Sequence, residues 1–285
     1  MSWLFERERP WRPVDAALAA TIAQRWPKVP REVLRLLASA SFATSQGHAA
    51  FDLSALVSGS GAADFGLPAW PRERWLAELA DCPAVGTGSD SCRPFVLDRE
   101  LLYLRRFHRD EVFLAEHLSE LALSAPIAAA PDAVAARIRV LFPEVSDPLA
   151  DRQVLACLAS LSTRLTVVLG GPGTGKTTTV LRLLALHQSL ADGSLKVAVA
   201  APTGKAATRV AEAMRTAADR IRLDPAVRAA LPERALTVHR LLGAQADGAH
   251  FRYGADFRLP YDLVVLDEAS MVDLALFARL VKALP

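Results

Sequence analysis

Gly170 to Thr177 read Gly-Gly-Pro-Gly-Thr-Gly-Lys-Thr, with glycines, a lysine and a hydroxyl at the spacing G-x-x-x-x-G-K-[ST]. Gly171, Gly173 and Gly175 let backbone N–H groups approach an anion with no Cβ in the way. Lys176 supplies a point charge for the outer oxygens of a polyphosphate, and Thr177 a hydroxyl for its Mg²⁺. An ordinary glycine-rich turn is the bland alternative. It is disfavoured because the whole motif sits where its mechanism requires, after an apolar run and before a helical pattern.

A second constellation lies nearly ninety residues on, in Leu263-Val-Val-Leu-Asp-Glu-Ala-Ser270. The unbroken apolar run reads as a central parallel strand whose carboxyl end delivers Asp267 and Glu268 to the edge where such sheets bind ligands. Asp267 is placed to hold Mg²⁺ through its water shell, and Glu268 to take a proton from an attacking water. An acidic pair at the end of a buried strand is expensive without such a purpose. The adjacent Asp-Glu also favours hydrolysis over transfer to a small acceptor.

Two weaker signals flank these. Gln153 precedes the glycine motif, and its carboxamide both donates and accepts, which suits the edge of adenine; a helix Gln is more often simply solvated. Thr203 and Lys205, in Ala201-Pro-Thr-Gly-Lys-Ala-Ala-Thr-Arg209, fall where a strand turns into a helix, a site that also binds backbone phosphates. Only five lysines occur in the chain, and two of them are Lys176 and Lys205. The competing reading of that turn is a plain N-capped helix with an exposed Lys.

These residues need a scaffold. Leu165–Leu169 predicts a buried parallel strand before the glycine motif, Thr178 to Leu190 a helix after it, and Lys196–Ala200 a second strand. Asp151 to Leu161 predicts a helix capped by Asp147 or Asp151. Upstream, helical spacing marks Val14–Arg25, Arg31–Ala43, Trp70–Ala80 and Phe107–Leu121, with a surface loop over Pro83–Pro94 and a hairpin made by Arg93–Asp98 and Leu101–Arg106. Ala125 to Ala136 reads as an alanine- and proline-rich connector, with a short helix over Arg137–Phe142. The expected organisation is a mainly helical domain over 1–124, a connector over 125–146 and an α/β domain over 147–285, its parallel sheet flanked by helices. All five tryptophans, at Trp3, Trp11, Trp26, Trp70 and Trp75, lie in the first part. Core packing explains them more readily than a partner surface, although aromatic anchors do mark such surfaces.

Composition narrows the class. A chain of 285 residues, 52% hydrophobic, buries at least one large core, and its net charge of +2 sets up no global field for nucleic acid, so any such surface is local. Cys82, Cys92 and Cys157 form no C-x-x-C pair, which argues against a disulfide framework or zinc site. The start lacks the apolar core of a signal peptide and no run of eighteen apolar residues occurs, so the expectation is a soluble cytoplasmic protein.

Taken in order, Gln153, the glycine motif extended to Thr179, Ala201-Pro-Thr-Gly-Lys-Ala-Ala, Thr237-Val-His-Arg-Leu-Leu-Gly and Asp267-Glu-Ala-Ser-Met-Val-Asp resemble the successive motifs of superfamily 1 DNA helicases. The closer resemblance is to the RecD family, the alpha subunits of exodeoxyribonuclease V. Gly47-His-Ala-Ala-Phe-Asp-Leu and Arg99-Glu-Leu-Leu-Tyr-Leu-Arg-Arg are similar to that family's docking domain, so the resemblance covers nearly the whole chain. It implies a RecA-like P-loop NTPase motor using ATP and Mg²⁺. Gln153 would meet adenine; Gly171, Gly173, Thr174, Gly175, Lys176, Thr177 and Thr178 would cradle the phosphates; Thr177 and Asp267 would serve the metal; Lys176 and Glu268 would be catalytic. Thr203, Lys205 and His239 would lie on the single-strand path. The family moves 5′ to 3′ on DNA with RecB-like and RecC-like subunits at double-strand ends.

The chain departs from the family in one respect. It stops at Pro285, about one helix past the acidic strand, and so lacks the later motifs, including the arginines of a second motor domain. Such an arginine is worth roughly 10³–10⁵ in turnover, so the expectation is a fragment nearly inactive alone, with an incomplete motor domain. A docking fragment with an idle ATP site is the alternative. A small-molecule P-loop kinase is a third reading, disfavoured by Asp267-Glu268 and by the lack of an arginine-rich lid. No nuclease signature is present.

Overall fold

The computed structural model describes residues 10–57, 65–88, 92–124, 129–171, 173–191, 195–245 and 250–285. Two compact units are present, Met1–Phe113 and Leu114–Pro285. Trp3, the middle of the Pro83–Pro94 loop, the start of the expected connector and Pro172 lie outside the described residues.

The first unit begins with α1 (Pro13–Arg25) and α2 (Arg31–Ser45), which pack on one another. Pro13 opens α1 at a position where a missing N–H costs nothing, and Asp15 closes a capping box on Arg12. The helix α2 buries Val33, Leu34, Leu36 and Leu37, and two residues past its end Gly47, with a φ of +89°, turns the chain away. There follow β1 (Ala50–Asp52), α3 (Ser54–Val57), α4 (Arg72–Ala80), β2 (Val85–Gly86), β3 (Phe95–Asp98) and β4 (Leu101–Leu104). The strands form one sheet in the order β1-β4-β3-β2, with β3 and β4 joined as the expected hairpin, Asp98 facing Leu101. The unit is therefore more mixed than the expected helical domain. The Pro83–Pro94 stretch contributes a strand, β2, which pairs in parallel with β3.

Every described tryptophan packs on the core of this unit. Trp75 is fully buried, and Trp11, Trp26 and Trp70 lie partly buried against the same cluster.

A 19-residue helix, α5 (Arg105–Leu123), follows. The second unit then contains α6 (Pro131–Leu141), α7 (Arg152–Ser162), α8 (Lys176–Leu190), β5 (Val197–Ala201), α9 (Gly204–Arg220), α10 (Pro225–Ala230), β6 (Leu236–Thr237), α11 (Val238–Leu241), β7 (Leu263–Leu266) and α12 (Leu274–Ala283). The helix α6 starts six residues before Arg137, so half of the expected connector is helical, with Pro131 as its first residue. It packs on α8, whose Leu181, Leu183, Leu184 and Leu186 are buried because α6, α7, α9 and α10 surround that helix.

Three parallel strands form the sheet, in the order β6-β5-β7. The Val-Ala-Val-Ala-Ala run of β5 is buried at Ala198 to Ala201, as a strand covered on both faces must be. Here two expectations fail. The central strand is β5, and β7 lies at the sheet edge with all four residues only partly buried. Leu165–Leu169 forms no strand: Val167 is 70% and Leu169 88% exposed. A parallel strand is held by hydrogen bonds from neighbours. Among the described residues no strand pairs with this run; its Thr166 and Val168 line a 410 Å³ cleft together with Leu263 to Leu266 of β7.

Candidate nucleotide-binding site

The glycine motif keeps the geometry its spacing requires even though the strand before it is absent. Gly173 and Gly175 both adopt left-handed φ, +76° and +81°, and α8 begins at Lys176 directly after Gly175. Thr174 Oγ1 donates to the Gly171 carbonyl at 2.9 Å and ties the loop across itself. Lys176 Nζ donates to the carbonyls of Gly170 at 2.5 Å and Gly171 at 2.8 Å, so its charge rests on the loop it would share with a phosphate. The N–H groups of the first turn of α8 have no helical acceptor and face the same space, with the positive end of the helix dipole behind them.

The opposite wall comes from the sheet. Asp267 follows β7, and its backbone N–H donates to the Ala200 carbonyl at 2.9 Å, which anchors it beside the end of β5. Glu268 is exposed and takes φ +50°, a left-handed conformation that costs a non-glycine residue on the order of 1 kcal/mol or more. Strain of this kind persists where the surrounding structure fixes a side chain's direction. A cleft of 930 Å³ is lined jointly by Gly171, Gly173, Gly175, Lys176, Thr177, Thr178, Asp267 and Glu268. Two constellations nearly ninety residues apart in the chain thus face one space, which Arg182 of α8 and a face of α9 that carries Arg209, Val210, Thr216, Ala217 and Arg220 also line.

The donor set suits a hard divalent cation, since the Thr177 hydroxyl and the Asp267 carboxylate are both oxygen ligands lining the cleft. Gln153 sits in the first turn of α7, which Asp151, rather than Asp147, caps by accepting from the N–H groups of Gln153 and Val154 at 2.8 and 3.0 Å. Gln153 Nε2 donates to the Thr174 carbonyl at 3.5 Å, placing the carboxamide against the loop.

Thr203, Lys205 and His239 line up at the same sheet edge by a different route. Ala201 of β5 is in register with Thr237 of β6, so α9 and α11 start side by side. Thr203 caps α9 by accepting from the Ala206 N–H at 3.2 Å, and Thr237 caps α11 in the same way through Arg240. Lys205 and His239 are exposed there, and the His239 ring lies 5.9 Å from that of Phe251. Sequence reasoning missed Arg182, Glu144 and Phe142, which gather beside Gln153. Phe142 and Glu144 follow α6 and Arg182 lies on α8, two segments that no spacing links to Gln153.

Over residues 7–103 the chain matches the N-terminal domain of the RecBCD enzyme subunit RecD, and over residues 153–285 it matches an AAA domain. It is 43% identical over 220 residues to the RecBCD enzyme subunit RecD of Mycobacterium tuberculosis, a match taking in 75% of this chain and 36% of that protein. The same subunit of Haemophilus influenzae is 34% identical over 196 residues, 67% of this chain and 30% of that one. The ATP-dependent RecD2 DNA helicase of Deinococcus radiodurans is 42% identical over 123 residues, 43% of this chain and 14% of that protein. The chain spans about a third of the length of the RecD relatives it matches.

Proposed function

The chain belongs to the RecD family, and from that premise we propose that it is the docking and nucleotide-binding portion of an ATP-dependent, 5′ to 3′ DNA helicase subunit. In this reading it works beside RecB-like and RecC-like subunits at double-strand DNA ends. The observation that carries the reading is the single cleft in which Lys176, Thr177, Asp267 and Glu268 meet. The names of the relatives, which include a RecBCD subunit and an ATP-dependent DNA helicase, support the same class of activity.

The chemistry follows from the residues. The loop from Gly171 to Thr178 and the N-terminus of α8 bind the polyphosphate of ATP through backbone N–H groups. Lys176 exchanges its contacts with the Gly170 and Gly171 carbonyls for the outer phosphate oxygens. Thr177 and Asp267 would hold Mg²⁺, which neutralises phosphate charge when bound. Glu268 accepts the proton of the attacking water, held in place by its strained backbone. Thr203, Lys205 and His239, at the neighbouring helix starts, contact single-stranded DNA. The first unit, which carries the RecD N-terminal match, docks the partner subunits.

Fluorescent ATP with Mg²⁺, titrated into wild type and Lys176→Ala with and without single-stranded DNA, tests this reading. Binding clearly weakened in the variant, with slow turnover in the wild type, supports a phosphate site on part of a motor. Absence of binding by a folded chain overturns it and leaves docking as the function.

A further inference from the structure

Arg182 lies six residues after Lys176 on α8, about 9 Å along the helix, and lines the same cleft. Its guanidinium is held on three sides. Nη2 pairs with the Glu144 carboxylate, the guanidinium carbon stands 4.3 Å from the centre of the Phe142 ring, and Nη1 donates to Gln153 Oε1 at 3.5 Å. The Arg182 side chain is only 13% exposed, whereas Glu144 is 55% exposed, so the pair reaches from solvent to the flank of the glycine loop.

This arrangement removes an ambiguity that every carboxamide carries. The amide of Gln153 has an accepting end and a donating end, and a half-turn exchanges them at little cost in shape. Arg182 can only donate and the Thr174 carbonyl can only accept, so one orientation satisfies both neighbours, with Oε1 toward Arg182 and Nε2 toward the loop. The reversed amide would set its NH₂ against a guanidinium and its oxygen against a carbonyl. Each end keeps one further hydrogen-bonding position free, an acceptor on Oε1 and a donor on Nε2. That pair of positions matches the N6 donor and N7 acceptor of adenine. Guanine presents acceptors at both O6 and N7, and an unrestrained Gln could turn its NH₂ toward O6 to receive it.

We infer that Arg182 is a specificity-determining positioning residue, fixing Gln153 in the orientation that reads adenine and refuses guanine, with Glu144 and Phe142 fixing Arg182 in turn. The inference rests on the nucleotide-site reading above and adds to it the residues that set base preference.

The test measures dissociation constants of fluorescent ATP and GTP, with Mg²⁺, for the 285-residue wild type, Arg182→Met, Glu144→Ala, Gln153→Ala and Lys176→Ala. Met keeps the apolar stem against Phe142 and removes the donors. Arg182→Met lowers the ATP-over-GTP preference about tenfold, mainly by tightening GTP, the scale of one base-edge contact. Glu144→Ala, at the exposed end of the relay, shifts the ratio the same way by less. A merely structural role weakens both nucleotides together and leaves the ratio alone, and that result in both variants overturns the inference. An unchanged ratio in Gln153→Ala also overturns it, because the carboxamide then reads no base. Weaker binding of both nucleotides by Lys176→Ala keeps the phosphate-site reading standing whatever the ratios show. Indifference to Lys176→Ala removes that reading itself.

Discussion

At the scale of single residues, the cleft separates binding from turnover. Lys176 is the cation at the mouth of the glycine loop, and charge-assisted hydrogen bonds are worth about 1.5–3 kcal/mol each. Lys176→Ala is therefore expected to weaken ATP binding by roughly ten- to a hundredfold, read by titration. Glu268→Gln preserves the shape and removes the proton acceptor, so it leaves ATP affinity near wild type and lowers DNA-stimulated turnover by about 10²–10⁴. Equal loss of affinity in the two variants would contradict this division of labour. The residues on both sides of the division were legible in the sequence because their chemistry depends on local spacing, a glycine loop opening a helix and two carboxylates closing a strand. Arg182, Glu144 and Phe142 were not, because what joins them to Gln153 is the packing of α6 and α7 on α8, which no local pattern encodes.

At the scale of elements, the caps and inter-helix ties govern stability. Asp151 caps α7 with two backbone hydrogen bonds, and Asp151→Ala is expected to cost about 1 kcal/mol in a denaturant melt while loosening the segment that carries Gln153. Asp15 joins α1 to α2. Burial raises its pKa, but hydrogen bonds from the Arg12 side chain, Ser41 Oγ at 2.7 Å and the Arg12 backbone outweigh that and hold it below the ordinary carboxylate value. A depressed carboxylate stabilises the fold above its unfolded pKa of about 3.9 and loses that contribution as pH falls through the lower folded value. Asp15→Asn should destabilise the first unit at pH 7 and bring it level with wild type at the acid end of that window. The helices and the β3–β4 hairpin were readable from periodicity and turn chemistry. The strand over Leu165–Leu169 was misread because pairing is not a property of the run: its β-branched residues satisfy strand propensity, yet no ladder holds them. The burial pattern of β7 was misjudged for the same reason, since an apolar run does not reveal whether it has one neighbour or two.

At the scale of the whole molecule, each unit has its own core, and acid should separate them. His187, buried on α8 in the second unit, has Nε2 2.9 Å from Ser160 Oγ. That hydroxyl donates to the Cys157 carbonyl at 2.7 Å, so Ser160 Oγ accepts from the His187 ring. Burial lowers its pKa. The unfolded chain therefore takes up a proton near pH 6.5 that the folded unit refuses, and stability falls as pH drops below that value, by at most about 1.4 kcal/mol per pH unit. In the first unit Asp15 holds its contribution down to about pH 4. All tryptophans lie at or before Trp75, so their fluorescence reports the first unit alone, whereas helical circular dichroism reports both. Thermal melts between pH 6.5 and 5 should show the dichroism midpoint falling while the tryptophan midpoint holds, and His187→Gln should flatten the dichroism trend. Saturating ATP at pH 7 should act on the dichroism transition only, adding about 2.7 kcal/mol at a hundredfold excess over its dissociation constant. Coincident transitions at every pH would mean that the two units unfold as one, and the assignment of separate stabilities to them would be wrong.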